Sequence, residues 1–169
     1  SDAAGEAPLR GVFARDDAWV STGDLFRQDR DGDLWLVDPV AAVVRTKHGP
    51  AVTAPARAAL ELLDAVDLAV AYGVRSRGPH DQLVAAVSVR RGHELTPDDV
   101  TAALAQLGTA ERPAAVRIVD EIPVTTWYRP RLAELRAAGL RTGKDRLLRW
   151  DDRRGAYVER AARESSKSR

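Results

Sequence analysis

Val20-Ser21-Thr22-Gly23-Asp24-Leu25 is followed a short way downstream by Leu34-Trp35-Leu36-Val37-Asp38-Pro39. The first stretch reads as a turn: glycine supplies backbone freedom, and Thr and Asp supply side-chain oxygens that bond nearby amides. The second reads as a strand that stops at a proline. Asp31-Gly32-Asp33 between them is a turn signal, so the two stretches predict paired strands. A turn of this composition suits a nucleotide and the Asp-Pro suits a hinge. Yet no phosphate-binding loop precedes them.

Working outward, residues 9–37 read as strands joined by turns, and Val40 to Arg45 as a further strand after the Asp38-Pro39 break. Thr53 with Pro55 starts a helix whose Leu60 and Leu63 share a face. Leu68 to Val74 and Leu83 to Val89 are Val- and Ala-rich strands. Thr96-Pro97-Asp98-Asp99 is a helix start with a cap, a proline in the first turn and acids at the positive end of the dipole; Val100, Leu104 and Leu107 follow as an apolar stripe. Ala114 to Val119 is a strand, and Pro130 to Ala138 a short helix ending at Gly139. The order β-β-α-β-β-α-β-α predicts a small α/β fold with helices packed on a sheet.

Composition narrows the chemistry. The 169 residues are 44% hydrophobic, enough for a core, and contain no cysteine, which excludes disulfides, thiolate catalysis and Cys-based zinc sites. His48, His80 and His93 lie far apart without ligand spacing, so no protein-built metal site is expected. No leader or membrane-spanning run is visible, which predicts a cytoplasmic protein. Methionine is absent, and the expectation is that the chain is a piece of something longer. Residues 141–169 carry ten Lys/Arg against five Asp/Glu, net +5, leaving −4 for residues 1–140 within a total of +1. The basic residues alternate with acids, so a solvated terminus is favoured over a nucleic-acid surface, and no nucleic-acid partner is expected.

The whole string is more specific than its parts. Leu9-Arg10-Gly11-Val12-Phe13, Trp19, Ser21-Thr22-Gly23-Asp24-Leu25, Asp29-x-Asp31-Gly32-x-Leu34 and Val37-Asp38 occur in one order. "ERPAAVRIVDEIPVTTWYRPRLAELRAAGL" (111–140) and "DRLLRWDDRRGAYVE" (145–159) continue it. Together they resemble the adenylate-forming superfamily, in its branch of fatty acid transport proteins and very-long-chain acyl-CoA synthetases. The resemblance implies a small mixed three-stranded sheet flanked by helices with a β-hairpin, preceded by strands from the end of a large adenylation domain. It implies that residues 1–37 end that domain, 38–140 form a small mobile C-terminal domain, and 141–169 are a basic extension. It further implies a parent enzyme that joins a fatty acid to CoA at the expense of ATP with Mg2+, in two half-reactions served by domain rotation. The fragment alone should be inactive, its partner being its own N-terminal adenylation domain.

Residue by residue, the resemblance assigns Asp24, with Thr22 shaping its turn, to the ribose hydroxyls of ATP; a carboxylate can accept from both hydroxyls of a diol. Asp38 falls at the hinge. Three departures matter. Relatives follow the hinge Asp with Arg, where this chain has Pro39. A Gly-Glu-Asn-Val loop on the thioester-forming face is replaced by Thr46-Lys47-His48-Gly49-Pro50-Ala51-Val52, and the glutamates that follow it by Pro55 and Arg57. The Thr-Gly-Thr-Phe-Lys that carries the catalytic lysine becomes Thr125-Thr126-Trp127-Tyr128-Arg129, so Arg129 stands where that lysine would bridge carboxylate and phosphate. Thr142-Gly143-Lys144 offers Lys144 as an alternative cation, fifteen positions away and without the preceding strand. Trp127 and Tyr128 fit either packing or a contact with an aromatic base. Alternative readings are a degenerate binding or regulatory module, and an acyl-adenylate ligase that delivers to an acyl carrier protein. Peripheral membrane contact is compatible with the basic end.

Overall fold

The computed structural model describes residues 8–140 and 144–160. The chain divides into two compact units, one ending at Ala41 and the other beginning at Ala42.

The first unit is two small hairpins. β1 (Leu9–Arg10) pairs antiparallel with β2 (Ala18–Trp19), and β3 (Asp24–Gln28) with β4 (Leu34–Pro39). A carboxylate organises each turn. Asp17 accepts from the amides of Val12, Phe13 and Ala14 at 3.0, 2.8 and 2.8 Å and from the Trp19 indole at 2.8 Å. Asp29 accepts from the Asp31 and Asp33 amides, both at 3.0 Å, and from the Trp35 indole at 2.8 Å. These turns are specified locally, by Asp side chains that bond amides a few residues on.

The second unit holds the main core. Its five-stranded sheet has the order β11-β10-β9-β8-β7. β7 (Val66–Val74) and β8 (Gln82–Val89) form an antiparallel pair; β9 (Ala115–Val119) lies parallel to β8 and antiparallel to β10 (Arg146–Asp151), which pairs with β11 (Ala156–Arg160). The parallel junction needs a crossover, which α2 (Pro97–Ala103) provides. The strands alternate cleanly. Ala69, Ala71, Leu83, Ala85 and Val87 face a core shared with Leu60 of α1 (Ala54–Glu61) and with Val100 and Leu104. Val70, Tyr72, Val74, Val84 and Ala86 face the other layer, with Leu135 of α3 (Leu132–Ala138). Both faces are covered, as a sheet with a parallel junction requires. The small residues of β7 and β8 let the helices approach closely.

The mixed α/β class with helices on a sheet is the one the sequence predicts; the sheet is wider than expected. Two strands from the basic terminal region join a three-stranded β7-β8-β9 core. Leu147, Leu148 and Tyr157 are buried there, so residues 146–160 are structure and not a solvated end. Arg146 pays for its place in this edge pair with a two-pronged contact to Glu159, at 3.0 and 2.8 Å. Val40 to Arg45 is not one strand. A 3-10 turn (Val40–Ala42) comes first, and a short strand β5 (Val44–Thr46) then pairs with β6 (Gly49–Ala51). The reason is local: the Val40 amide is already bonded to the Gly23 carbonyl at 2.7 Å, inside the preceding hairpin. The helix expected from Pro130 begins at Leu132, because Pro130 bridges back to Val124. Thr96 and Asp99 form the expected capping box, whereas Thr53 makes no side-chain cap bond to α1.

Candidate functional site

In the first unit the Thr22-Gly23-Asp24 turn and the Asp38-Pro39 segment lie side by side. Asp24 is paired with Pro39 and Leu25 with Asp38 across β3 and β4. Gly23 turns with φ +71°, and the Thr22 hydroxyl accepts from the Asp24 amide at 3.3 Å. The side chain of Asp24 is exposed, and Asp38 is buried. An exposed carboxylate on a turn fixed by its own amide fits the demands of a ribose diol, which needs two acceptors that do not reorganise.

In the second unit Arg129 sits at the base of a tight hairpin between Val124 and Pro130. The Tyr128 amide donates to the Thr125 carbonyl, and the Thr125 amide to the Arg129 carbonyl, both at 2.9 Å. The Thr125 hydroxyl accepts from the amides of Trp127 and Arg129 at 3.3 and 3.2 Å. Tyr128 closes the turn with φ +57°, the left-handed region that disfavours a side chain. Trp127 and Tyr128 are 84% and 86% exposed, so neither packs within its own unit. Arg129 is exposed and has no ion-pair partner among the described residues.

Lys144 stands at the other end of α3. Arg129 precedes that helix; Lys144 follows it, next to Asp145, which Arg117 binds at 2.6 Å. The same guanidinium donates to the Gly139 carbonyl at 3.1 Å, at the C-terminal end of α3. Thr142 and Gly143, the rest of that motif, lie outside the described residues.

A third feature was not legible from any motif. A cavity of about 490 Å³ opens in the second unit between the β5–β6 turn, the loop after β7, the segment before β9 and strand β10. Lys47, His48, His80, Arg112, Arg149 and Trp150 are among the residues that line it. The Arg112 guanidinium lies 4.3 Å from the Trp150 ring centroid and donates to the Leu107 carbonyl at 3.0 Å; its Nε is buried without a partner. Trp150 is fixed by Asp152 at 2.9 Å and by an edge contact with Tyr157 at 5.3 Å. Burial pushes the Tyr157 phenol well above its ordinary pKa, so it stays neutral and donates to the Pro113 carbonyl at 2.6 Å. These residues come from separate segments, and only folding brings them together.

No family model matches the chain. It is 27% identical over 154 residues to long-chain fatty acid transport protein 2 of Rattus norvegicus, an alignment covering 89% of this chain and 25% of that protein. It is 30% identical over 106 residues to 4-coumarate–CoA ligase-like 9 of Oryza sativa subsp. japonica, covering 62% and 19% respectively. The structure of ATP-bound MatB from Rhodopseudomonas palustris shares the fold, with a TM-score of 0.64 at 23% identity over 73% of this chain and 25% of that one. The architecture is that of the C-terminal domain of adenylate-forming ligases. These similarities point to proteins of the adenylate-forming kind over most of the chain. It spans a quarter or less of the length of these curated relatives. No helix among the described residues is long and apolar enough to cross a membrane.

Proposed function

We propose that this chain is the C-terminal portion of a fatty-acyl-CoA synthetase, with residues 1–37 the last strands of its large adenylation domain and residues from 38 onward its mobile cap. The observation that carries this reading is the apolar surface of the first unit, set beside the alignment to a fatty acid transport protein over 89% of the chain. Leu34, Trp35 and Leu36 on β4 are 65%, 54% and 63% exposed and Phe13 in the β1–β2 turn 80%, in hairpins that build no core of their own. A soluble hairpin pair does not sustain such a patch; it suits strands that pack against a body outside this chain.

In this reading Asp24 accepts the ribose hydroxyls of ATP, which is bound with Mg2+. Arg129 places positive charge where carboxylate and phosphate meet. The guanidinium is broad and planar where relatives have a compact ammonium, so a site shaped for lysine should lose about 2–4 kcal/mol of stabilisation, by analogy with deleting one oxyanion donor. The cavity favours CoA as acyl acceptor: Lys47, Arg112 and Arg149 outnumber Asp81 and Asp152, His48, His80 and Trp150 add rings for an anionic aromatic ligand, and the buried Arg112 Nε is a donor in want of an acceptor.

The second reading is a degenerate module, favoured by three departures falling together at Pro39, at Thr46–Val52 and at Arg129. Pyrophosphate exchange by the full-length protein with a panel of fatty acids separates the two. Exchange lost in Arg129→Ala marks a working variant. A silent parent rescued by Arg129→Lys marks a decayed ligase. Loss in Lys144→Ala alone would overturn the placement of the cation at Arg129, and silence in every variant would overturn the ligase reading.

A further inference from the structure

We propose that the pivot between the two units lies within Val40–Val43, downstream of the Asp38-Pro39 pair that the family resemblance marks as the hinge. The inference rests on the reading above, that the units rotate, and asks which torsions can do so.

The backbone can be followed one bond at a time. Asp38 lies in the ladder opposite Leu25, and as the residue before a proline it is sterically kept out of the helical region. Pro39 has its φ locked by its ring and pairs with Asp24. The next torsion, ψ of Pro39, is held because the Val40 amide donates to the Gly23 carbonyl at 2.7 Å. Rotation at Asp38 or Pro39 would therefore break the root of the β3–β4 hairpin, with the ribose turn attached to it.

The other boundary is as firm. Val44 is buried, and its methyl carbons sit so close to β7 that a Cβ on Gly73 would lie 3.2 Å from Val44 Cγ1. From Val44 onward the chain belongs to the core of the second unit. Between these anchors lie a single 3-10 turn and one further residue. Such turns have poor hydrogen-bond geometry, and within longer elements they often mark hinges. Ala41 is exposed, neither Ala41 nor Ala42 has a side chain beyond Cβ to clash during rotation, and the division between compact units falls between them. A proline at the family's hinge has moved the soft torsions a few residues on.

Two measurements test this. The first is 15N relaxation of the 169-residue chain, on the ps–ns and μs–ms timescales. The expected result is excess mobility at the Ala41, Ala42 and Val43 amides, with Leu25, Asp38 and Val40 as rigid as the strands. Mobility at Asp38 or Val40 with Ala41 and Ala42 rigid, or uniform rigidity across 38–44, overturns the proposal. The second uses the full-length protein and compares thioester formation with pyrophosphate exchange. Ala41→Pro should change the ratio of the two rates by about ten-fold or more, and Pro39→Gly by less than about two-fold, because only the first stiffens a moving torsion. The opposite ranking overturns the proposal. A parent whose exchange stays silent in Arg129→Lys as well refutes the ligase reading, and the relaxation data still decide the pivot.

Discussion

Arg117 on β9 meets Asp145 at 2.6 Å, and this one pair ties three separate parts of the second unit together. The guanidinium is 4% exposed and also donates to Tyr72 on β7 at 3.3 Å and to the Leu135 and Gly139 carbonyls at the end of α3, at 3.4 and 3.1 Å. Burial is the largest single influence and works against its charge, but the Asp145 hydrogen bond, the Tyr72 phenol and the Asp145 charge together outweigh it and hold its pKa above the ordinary value. Asp145→Ala leaves a buried cation with carbonyls and a phenol alone, and should destabilise the chain by about 3 kcal/mol, the low end for breaking a buried pair because Asp145 is partly exposed. Urea unfolding measures it. Asp145→Asn keeps an acceptor and should cost less than Asp145→Ala; an Asn variant as stable as the parent would show that the contact is not charge-assisted.

The left-handed Tyr128 gives a prediction of opposite sign. A side chain in that region costs about 1–2 kcal/mol, and glycine gives back about 0.5–1 kcal/mol in extra unfolded-state freedom. Tyr128→Gly should therefore raise stability by roughly 0.5–1 kcal/mol, seen as a higher Tm. Trp127→Ala, at a site whose side chain is largely exposed and whose amide bond to Thr125 is kept, should stay within about 0.5 kcal/mol of the parent. A Tyr128→Gly variant less stable than the parent would mean that the strain is relieved by contacts of the tyrosine ring.

Asp17 sets an acid limit on the first hairpin. Desolvation raises its pKa, but the Phe13 amide, the Trp19 indole and the Ala14 and Val12 amides together hold it down, from 3.8 to about 2. A depressed carboxylate contributes stability that is present above its unfolded pKa and lost as pH falls through the folded one. The β1–β2 loop should thus open progressively between about pH 4 and pH 2. Carboxyl NMR titration reads the Asp17 pKa directly. Asp17→Asn, which cannot titrate, should remove this step and leave the corresponding one at Asp29, whose pKa is lowered first by the Trp35 indole.

The capping box on α2 is a local test of the crossover. The Thr96 hydroxyl and amide both bond the Asp99 carboxylate, at 2.7 and 2.9 Å, while the Asp99 amide donates back to Thr96 at 3.2 Å. Thr96→Ala should cost about 1 kcal/mol, measured by chemical unfolding, and should let the Asp99 pKa, lowered first by the Thr96 side chain, return toward its ordinary range.

What the sequence made legible was what neighbours in the chain decide. Thr96-Pro97-Asp98-Asp99 starts a helix because its atoms satisfy each other within one turn. Leu68–Val74 and Leu83–Val89 read as strands because their apolar residues are small or β-branched. The Val40–Arg45 segment misled because an apolar run looks like a strand whichever amide has already been claimed by Gly23. Residues 146–160 are obscured by their charge: arginines surround Leu147 and Leu148, whose ladder partners on β9, Arg117 and Val116, lie 30 and 32 residues earlier, and Tyr157 joins only through β10. Arg112 and Trp150 meet only in the fold, and nothing in the local sequence of either names the other. Thr22, Asp24 and Arg129 are singled out by family likeness alone.

The pairing of β10 with β9 also matters for any shortened version of the chain. All five residues of β9 are buried, and its backbone is bonded on both sides. A polypeptide ending before Lys144 would strip away the terminal hairpin and leave an apolar strand with a free row of amides and carbonyls. Such an edge is a template for another copy. The C-terminal hairpin acts as a guard against self-association, and trimming it for convenience would trade a well-behaved domain for one prone to aggregate.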